Sequence, residues 1–200
     1  MKRIVLLLAL AACGAPRPAP TAAPAPPPPV SSTAPMDFGG QRVLILPVQS
    51  AEAVGTRDEA TSELVFALRE RDERTQWVTP DQLRRALRGS PGYAADPGTL
   101  PDDAYLHHGE RTIVDPLGSV VRRYSALTDT RVVVIPRSAR WIDGGAGGRV
   151  RMSAAVVDAR NGRVIWFGDA EGEPRPAFGR EALASAAAAL AERMLAAERR

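Results

Sequence analysis

Histidine, whose side chain changes charge nearest neutral pH, occurs twice in this chain of 200 residues, at His107 and His108. Adjacent residues point about 100° apart on a helix and to opposite faces on a strand, so these two do not readily share a metal. Asp102, Asp103 and Asp115 are the carboxylates nearby in sequence. A cell-wall or ester hydrolase using His107 with Asp102 or Asp115 is the catalytic arrangement these residues permit, but no Gly-x-Ser-x-Gly elbow accompanies it, and Ser119 falls within a predicted helix. The simpler reading of His107 and His108 is as exposed loop residues, so the chain is expected not to be an enzyme and to need no cofactor or metal. Gly144 to Gly148 lacks the Lys-Ser/Thr of a phosphate loop and precedes a strand, which makes it a turn. Asp169, Glu171 and Glu173 could bind calcium, although carboxylates at alternate positions after a strand more often mark a solvated edge. Arg84, Arg85 and Arg88, like Arg122 and Arg123, are expected on solvated helix faces. Trp77, Trp141 and Trp166 lie in or beside strands. An exposed Trp141 beside the glycine turn would be a contact surface, and Arg84, Arg88 and Trp141 form the candidate partner surface.

The remaining reactive group is Cys13, the chain's single cysteine, which has no intramolecular disulfide partner. It follows Lys2, Arg3 and an apolar run from Ile4 to Ala12 that is too short to span a bilayer. Leu10-Ala-Ala-Cys-Gly14 resembles the lipobox of bacterial lipoproteins. The resemblance implies cleavage before Cys13, acylation of its sulfur and new amino group with palmitate-type chains, and membrane attachment through that lipid. Because Gly14 rather than Asp follows the cysteine, it also implies an outer-membrane address facing the periplasm. Nine of the 18 prolines then fall between Gly14 and Pro35. That tract favours extended polyproline II and reads as a tether reaching on the order of 70 Å.

The organisation is therefore a signal peptide over 1–12, a lipidated cysteine and Pro/Ala-rich tether over 13–35, and one domain over 36–200. Lys2, Arg3 and Arg17 carry the whole formal charge of +3, so the domain's arginines balance its 23 carboxylates. No global basic excess argues for a nucleic-acid partner, and no small-molecule substrate is evident.

Arg42 to Val48 is a continuous apolar run, the mark of a strand covered on both faces. Thr56 with Glu59 and Thr79 with Gln82 are capping boxes opening helices to about Arg71 and Arg88. Gln76-Trp-Val78 is a short strand. Gly89 to Thr112 has no strong period and is expected to be the most mobile segment. Asp115 should cap a third helix with Pro116 at its first turn position. A second buried strand follows over Arg131 to Pro136. An Asn161-Gly162 hairpin joins Val150–Val157 to Arg163–Phe167, and an alanine-rich helix runs from Glu181 to Glu198. This order implies an α/β (α+β) sandwich: a mixed sheet of about five strands with a C-terminal antiparallel hairpin and about four helices packed on it.

Val43-Leu-Ile-Leu-Pro-Val48, Val132-Val-Val-Ile-Pro136 and Val156-Val-Asp-Ala-Arg-Asn-Gly-Arg-Val-Ile-Trp166, followed by the terminal helix, resemble a group of bacterial envelope domains. That group includes the TolB amino-terminal domain, the curli secretion-channel lipoprotein and the lipoprotein activators of penicillin-binding proteins. The resemblance implies a non-catalytic protein-binding or assembly module with an envelope protein as partner. No segment suits transmembrane β-hairpins, so channel formation is not implied. A Cys13→Ser variant is expected to lose lipid, signal cleavage at that site and membrane fractionation together; membrane recovery of a normally cleaved Cys13→Ser protein would refute the lipid anchor.

Overall fold

The computed structural model describes residues 34–100 and 112–196. Cys13, residues 14–33, Asp102, Asp103, His107 and His108 lie outside the described residues. Strand β1 (Arg42–Ile45) has Val43, Leu44 and Ile45 all fully buried. Successive strand side chains point to opposite faces, so burial of all three requires cover on both sides of the sheet. β1 lies between β3 (Gln76–Val78) and β4 (Val132–Asp143) and is parallel to both. β5 (Gly148–Asp158) and β6 (Arg163–Glu171) extend the sheet in antiparallel fashion, giving the order β3-β1-β4-β5-β6. β2 (Ser50–Glu52) pairs with the second half of β4.

Helices α1 (Arg57–Arg71) and α4 (Arg180–Met194) pack with Val43, Ile45, Val134 and Trp166 on one face. On the other face, α2 (Pro80–Arg88) and α3 (Leu117–Thr128) pack with Leu44, Leu46, Val133 and Ile135. The result is an α+β sandwich on a mixed sheet, the expected class. Both capping boxes are formed: the Thr56 and Thr79 hydroxyls accept from the Glu59 and Gln82 amides, and those side chains accept from the cap amides in return. Asn161-Gly162 closes the β5–β6 hairpin within a four-residue connection, with Gly162 at φ +72° and its amide donating to the Asp158 carbonyl at 2.8 Å.

Three local expectations are corrected. β4 does not end at Pro136: the missing N–H falls where the partner changes from β1 to β2 and where the β5 register already shifts, so the strand continues to Asp143. Asp115 does not cap α3. Pro116 occupies the N-cap without a side-chain bond, and the Asp115 carboxylate instead accepts from the Ser119 hydroxyl at 2.7 Å. α4 stops at Met194 because Leu195 turns extended to pair with Met36. Of the segment Gly89 to Thr112, residues 101–111 lie outside the described residues, and the part before them is hydrogen-bonded to the fold. The Tyr124 hydroxyl donates to the Ala95 carbonyl at 2.7 Å, Arg57 donates to the Gly98 carbonyl at 2.7 Å, and Gln49 bonds both the Pro97 carbonyl and the Leu100 amide.

The pairing of Met36 with the C-terminal end of α4 brings the start of the described chain beside its end. The Met36 amide donates to the Met194 carbonyl at 2.7 Å, and the Ala196 amide donates to the Met36 carbonyl at 2.8 Å. Two residues on, Phe38 is buried and meets Trp77 edge to face at 5.9 Å. Phe38→Ala is expected to cost about 3–5 kcal/mol, read as a lower denaturant midpoint with an altered Trp77 emission.

Candidate interaction surface

The capping box fixes where α1 starts and therefore which residues face the sheet. Ala60, Leu64, Ala67 and Leu68 are buried at helical spacing. Phe66 sits about 200° round the helix from Leu64, and is 63% exposed. The exposed face of α1 is flanked by two depressions. One, about 660 Å³, runs between α1 and α2 beside Thr79 and Pro80, which directly follow the edge strand β3, and is lined by Phe66, Arg69 and Arg85 among others. The other, about 360 Å³, lies between α1 and the start of α4 and is lined by Asp58, Glu63, Phe178 and Arg180. A third depression, between Phe66 and Glu70 of α1 and Glu181 of α4, borders the same aromatic ring.

Trp141, near the end of β4, stands at one end of this surface. Its indole N–H donates to the Asp143 carboxylate at 2.7 Å, and its ring meets Phe178 edge to face at 6.1 Å. Gly148 lies directly beneath it. A Cβ there would fall 2.5 Å from both the Ile142 carbonyl oxygen and the Trp141 indole, so glycine is required by the hairpin backbone and by the ring that rests on it. Arg84 stands at the other end, donating to Asp81 at 2.9 Å and reaching Asp58 of α1 at 3.4 Å. Arg84, Asp58, Phe178 and Trp141 thus follow one another across a continuous face. Arg88, at the last turn of α2, is exposed outside the groove lining.

Charges on the face are largely cross-linked. Arg180 donates to Glu63 at 2.7 Å, and that hydrogen bond pushes the guanidinium pKa up. The Thr56 amide, aided by its hydroxyl, holds the Glu59 carboxyl below the usual carboxylate range. Such exposed pairs add little stability, but they set the pattern of charge a partner meets.

The remaining sequence candidates are placed elsewhere. The Ser119 hydroxyl lowers the pKa of Asp115, and Arg122 donates to the same oxygen at 3.1 Å. Arg151 engages both Glu171 and Asp169, and Arg149 reaches Glu171 at 3.1 Å, so two members of the acidic run are bound to arginine. Among the described residues no group of three His, Cys, Asp or Glu could hold a metal ion. Gly144 to Gly147 forms the β4–β5 turn, as expected. Trp77 and Trp166 are core residues. Sequence reasoning passed over Phe66 and Phe178. For Phe66 the signal was present, since a large aromatic lay off the buried stripe of a capped helix. Phe178 takes its position from Trp141 and from the α1 and α4 residues that line the same depression, all distant from it in sequence except those of α4.

No protein-family model matches the chain, and no curated protein matches it in sequence. Among solved structures, LpoB of Escherichia coli is 18% identical, with 88% of this chain and 84% of that chain covered and a TM-score of 0.47. The PelC dodecamer of Paraburkholderia phytofirmans is 12% identical, covers 83% and 96% of the two chains and gives a TM-score of 0.43. A lipoprotein of Neisseria meningitidis is 16% identical, covers 67% and 83%, and gives a TM-score of 0.39.

Gly148→Ala is expected to displace the Trp141 indole and, with it, Phe178. The change should appear in near-ultraviolet circular dichroism while the far-ultraviolet spectrum is preserved; an unchanged aromatic spectrum would show that the ring does not rest on Gly148.

Proposed function

We propose that this chain is a lipid-anchored envelope protein of the outer membrane, facing the periplasm, whose domain is a non-catalytic protein-binding or assembly module. The observation that carries the binding reading is the continuous face from Trp141 and Phe178 across α1 to Arg84, with Phe66 63% exposed between two grooves. Aromatic side chains presented beside arginines are the composition favoured at the energetic centres of protein interfaces. The address rests on Leu10-Ala-Ala-Cys-Gly14 and the proline tract that follows.

The position of the tether fits this reading. Glu63 meets Arg180 and Arg71 meets Glu192, so α1 and α4 run in the same direction. Met36, where the tether joins the domain, pairs at their C-terminal end. Phe178 and Trp141 stand at the other end, further on by the length of α4, about 22 Å. A domain hung from Met36 can turn that end away from the membrane.

The reading is tested by placing a photo-crosslinking residue at Phe66 or Trp141 in intact envelopes and comparing surface with histidine variants. With the crosslinker at Trp141, Phe66→Ala and Arg84→Ala should each abolish a discrete crosslinked complex and cellular function without lowering Tm appreciably, since an exposed side chain and surface ion pairs contribute little stability. His107→Ala/His108→Ala should leave both intact. Loss of function in the folded histidine variant, with surface variants unaffected, would hand the chain to the hydrolase reading.

A further inference from the structure

The groove between α1 and α2 carries a distribution of charge that narrows what it takes. Its one arginine with acidic partners is Arg84, bound to Asp81 and Asp58. Arg69 of α1 and Arg85 of α2, both exposed and both lining the groove, have no ion-pair or hydrogen-bond partner among the described residues. Phe66 stands beside them with Val65 partly buried at its side. The groove therefore presents an apolar anchor and two unpaired guanidinium forks on separate helices.

We propose that this groove binds an acidic segment of a partner protein. A carboxylate of that segment meets Arg69 and Arg85 while a neighbouring apolar side chain packs on Phe66 and Val65. The proposal rests on the binding-module reading and deepens it by naming the partner's chemistry. Guanidinium forks match carboxylate geometry, and charge-assisted hydrogen bonds beside a desolvated aromatic are among the stronger polar contacts. The volume of about 660 Å³ suits a few side chains rather than a whole domain. An anionic membrane offers its charge as a continuous sheet, which would also press against Asp58, Asp81, Glu63 and Glu70, all on the same two helices. A peptide offers single carboxylates separated by neutral residues and avoids that repulsion.

The test is selection of a random dodecapeptide library displayed on phage against the detergent-solubilised full chain. Enriched peptides should carry Asp or Glu within two positions of Leu, Phe or Trp. Phe66→Ala should weaken them by roughly tenfold or more, and added salt should weaken them further. The Arg69→Glu/Arg85→Glu variant should instead enrich peptides bearing Lys or Arg. Enrichment of basic or uncharged peptides by the unaltered chain, or no enrichment, overturns the proposal. So does binding to phosphatidylglycerol vesicles, or self-association in gel filtration, that Arg69→Glu/Arg85→Glu abolishes while peptide selection is unchanged. If the envelope crosslink at Phe66 survives but the acidic preference is absent, the binding module stands and the partner's chemistry is wrong; loss of both removes the two readings together.

Discussion

The parallel pairing of β1 with β4 is the constraint from which the other elements follow. Val43, Leu44 and Ile45 face Val132, Val133 and Val134 in register, and all six are buried. Three consecutive positions on each of the two strands supply side chains to both faces, and neither face can be left to water at about 1.5–3 kcal/mol for each large aliphatic side chain. Helices must therefore cover both sides. A parallel pair also requires a long crossover, and the segment between β1 and β4 supplies α1, α2, β3 and α3. α1 is consequently held against the sheet by one stripe only, and its opposite side is free to be chemistry rather than core.

The covering helices are not equivalent. α4 buries Ala182, Ala186, Ala187 and Ala191, small side chains that let it approach the sheet closely, and it lies alongside α1. That closeness is what leaves a shallow depression rather than a deep cleft beside Phe66. α2 is short and sits round the β3 edge from α1, with only Pro80 and Leu83 buried. The wider groove opens there because a three-residue edge strand cannot separate two helices and fill the space between them.

Legibility in the sequence tracked the range of the forces involved. Both capping boxes and the Asn161-Gly162 hairpin rest on contacts within a few residues, and each is present; the burial of β1 is made by partners far off in sequence but was legible because a continuous apolar run requires cover on both faces. β2 was not legible, because Ser50-Ala-Glu52 has no strand composition and pairs only because β4 outlasts β1. The end of α4 is not legible for a related reason: alanine propensity continues past Met194, but Leu195 is claimed by Met36, distant in sequence and adjacent in space. The candidate face shows the same division. Trp141 and Arg84 were singled out from residue type and local context, yet their connection through Phe178 and Asp58 exists only once α1, α2, β4 and the approach to α4 are assembled.

A face of this kind is modest by the standard of obligate interfaces, and the proposed tether explains why it can suffice. One exposed phenylalanine, a second half-covered aromatic pair and a few arginines would give weak association between freely diffusing proteins. Anchoring the domain within reach of its partner would replace bulk concentration by a higher effective one set by the tether's length and stiffness. A contact too weak to persist between freely diffusing proteins is then occupied more of the time. Selection then acts on which partner is chosen rather than on tightness. A surface whose charges are mostly neutralised, with two arginines that have no partner among the described residues beside one aromatic, is suited to that task, because misplaced like charges cost a wrong partner more than the few good contacts give the right one.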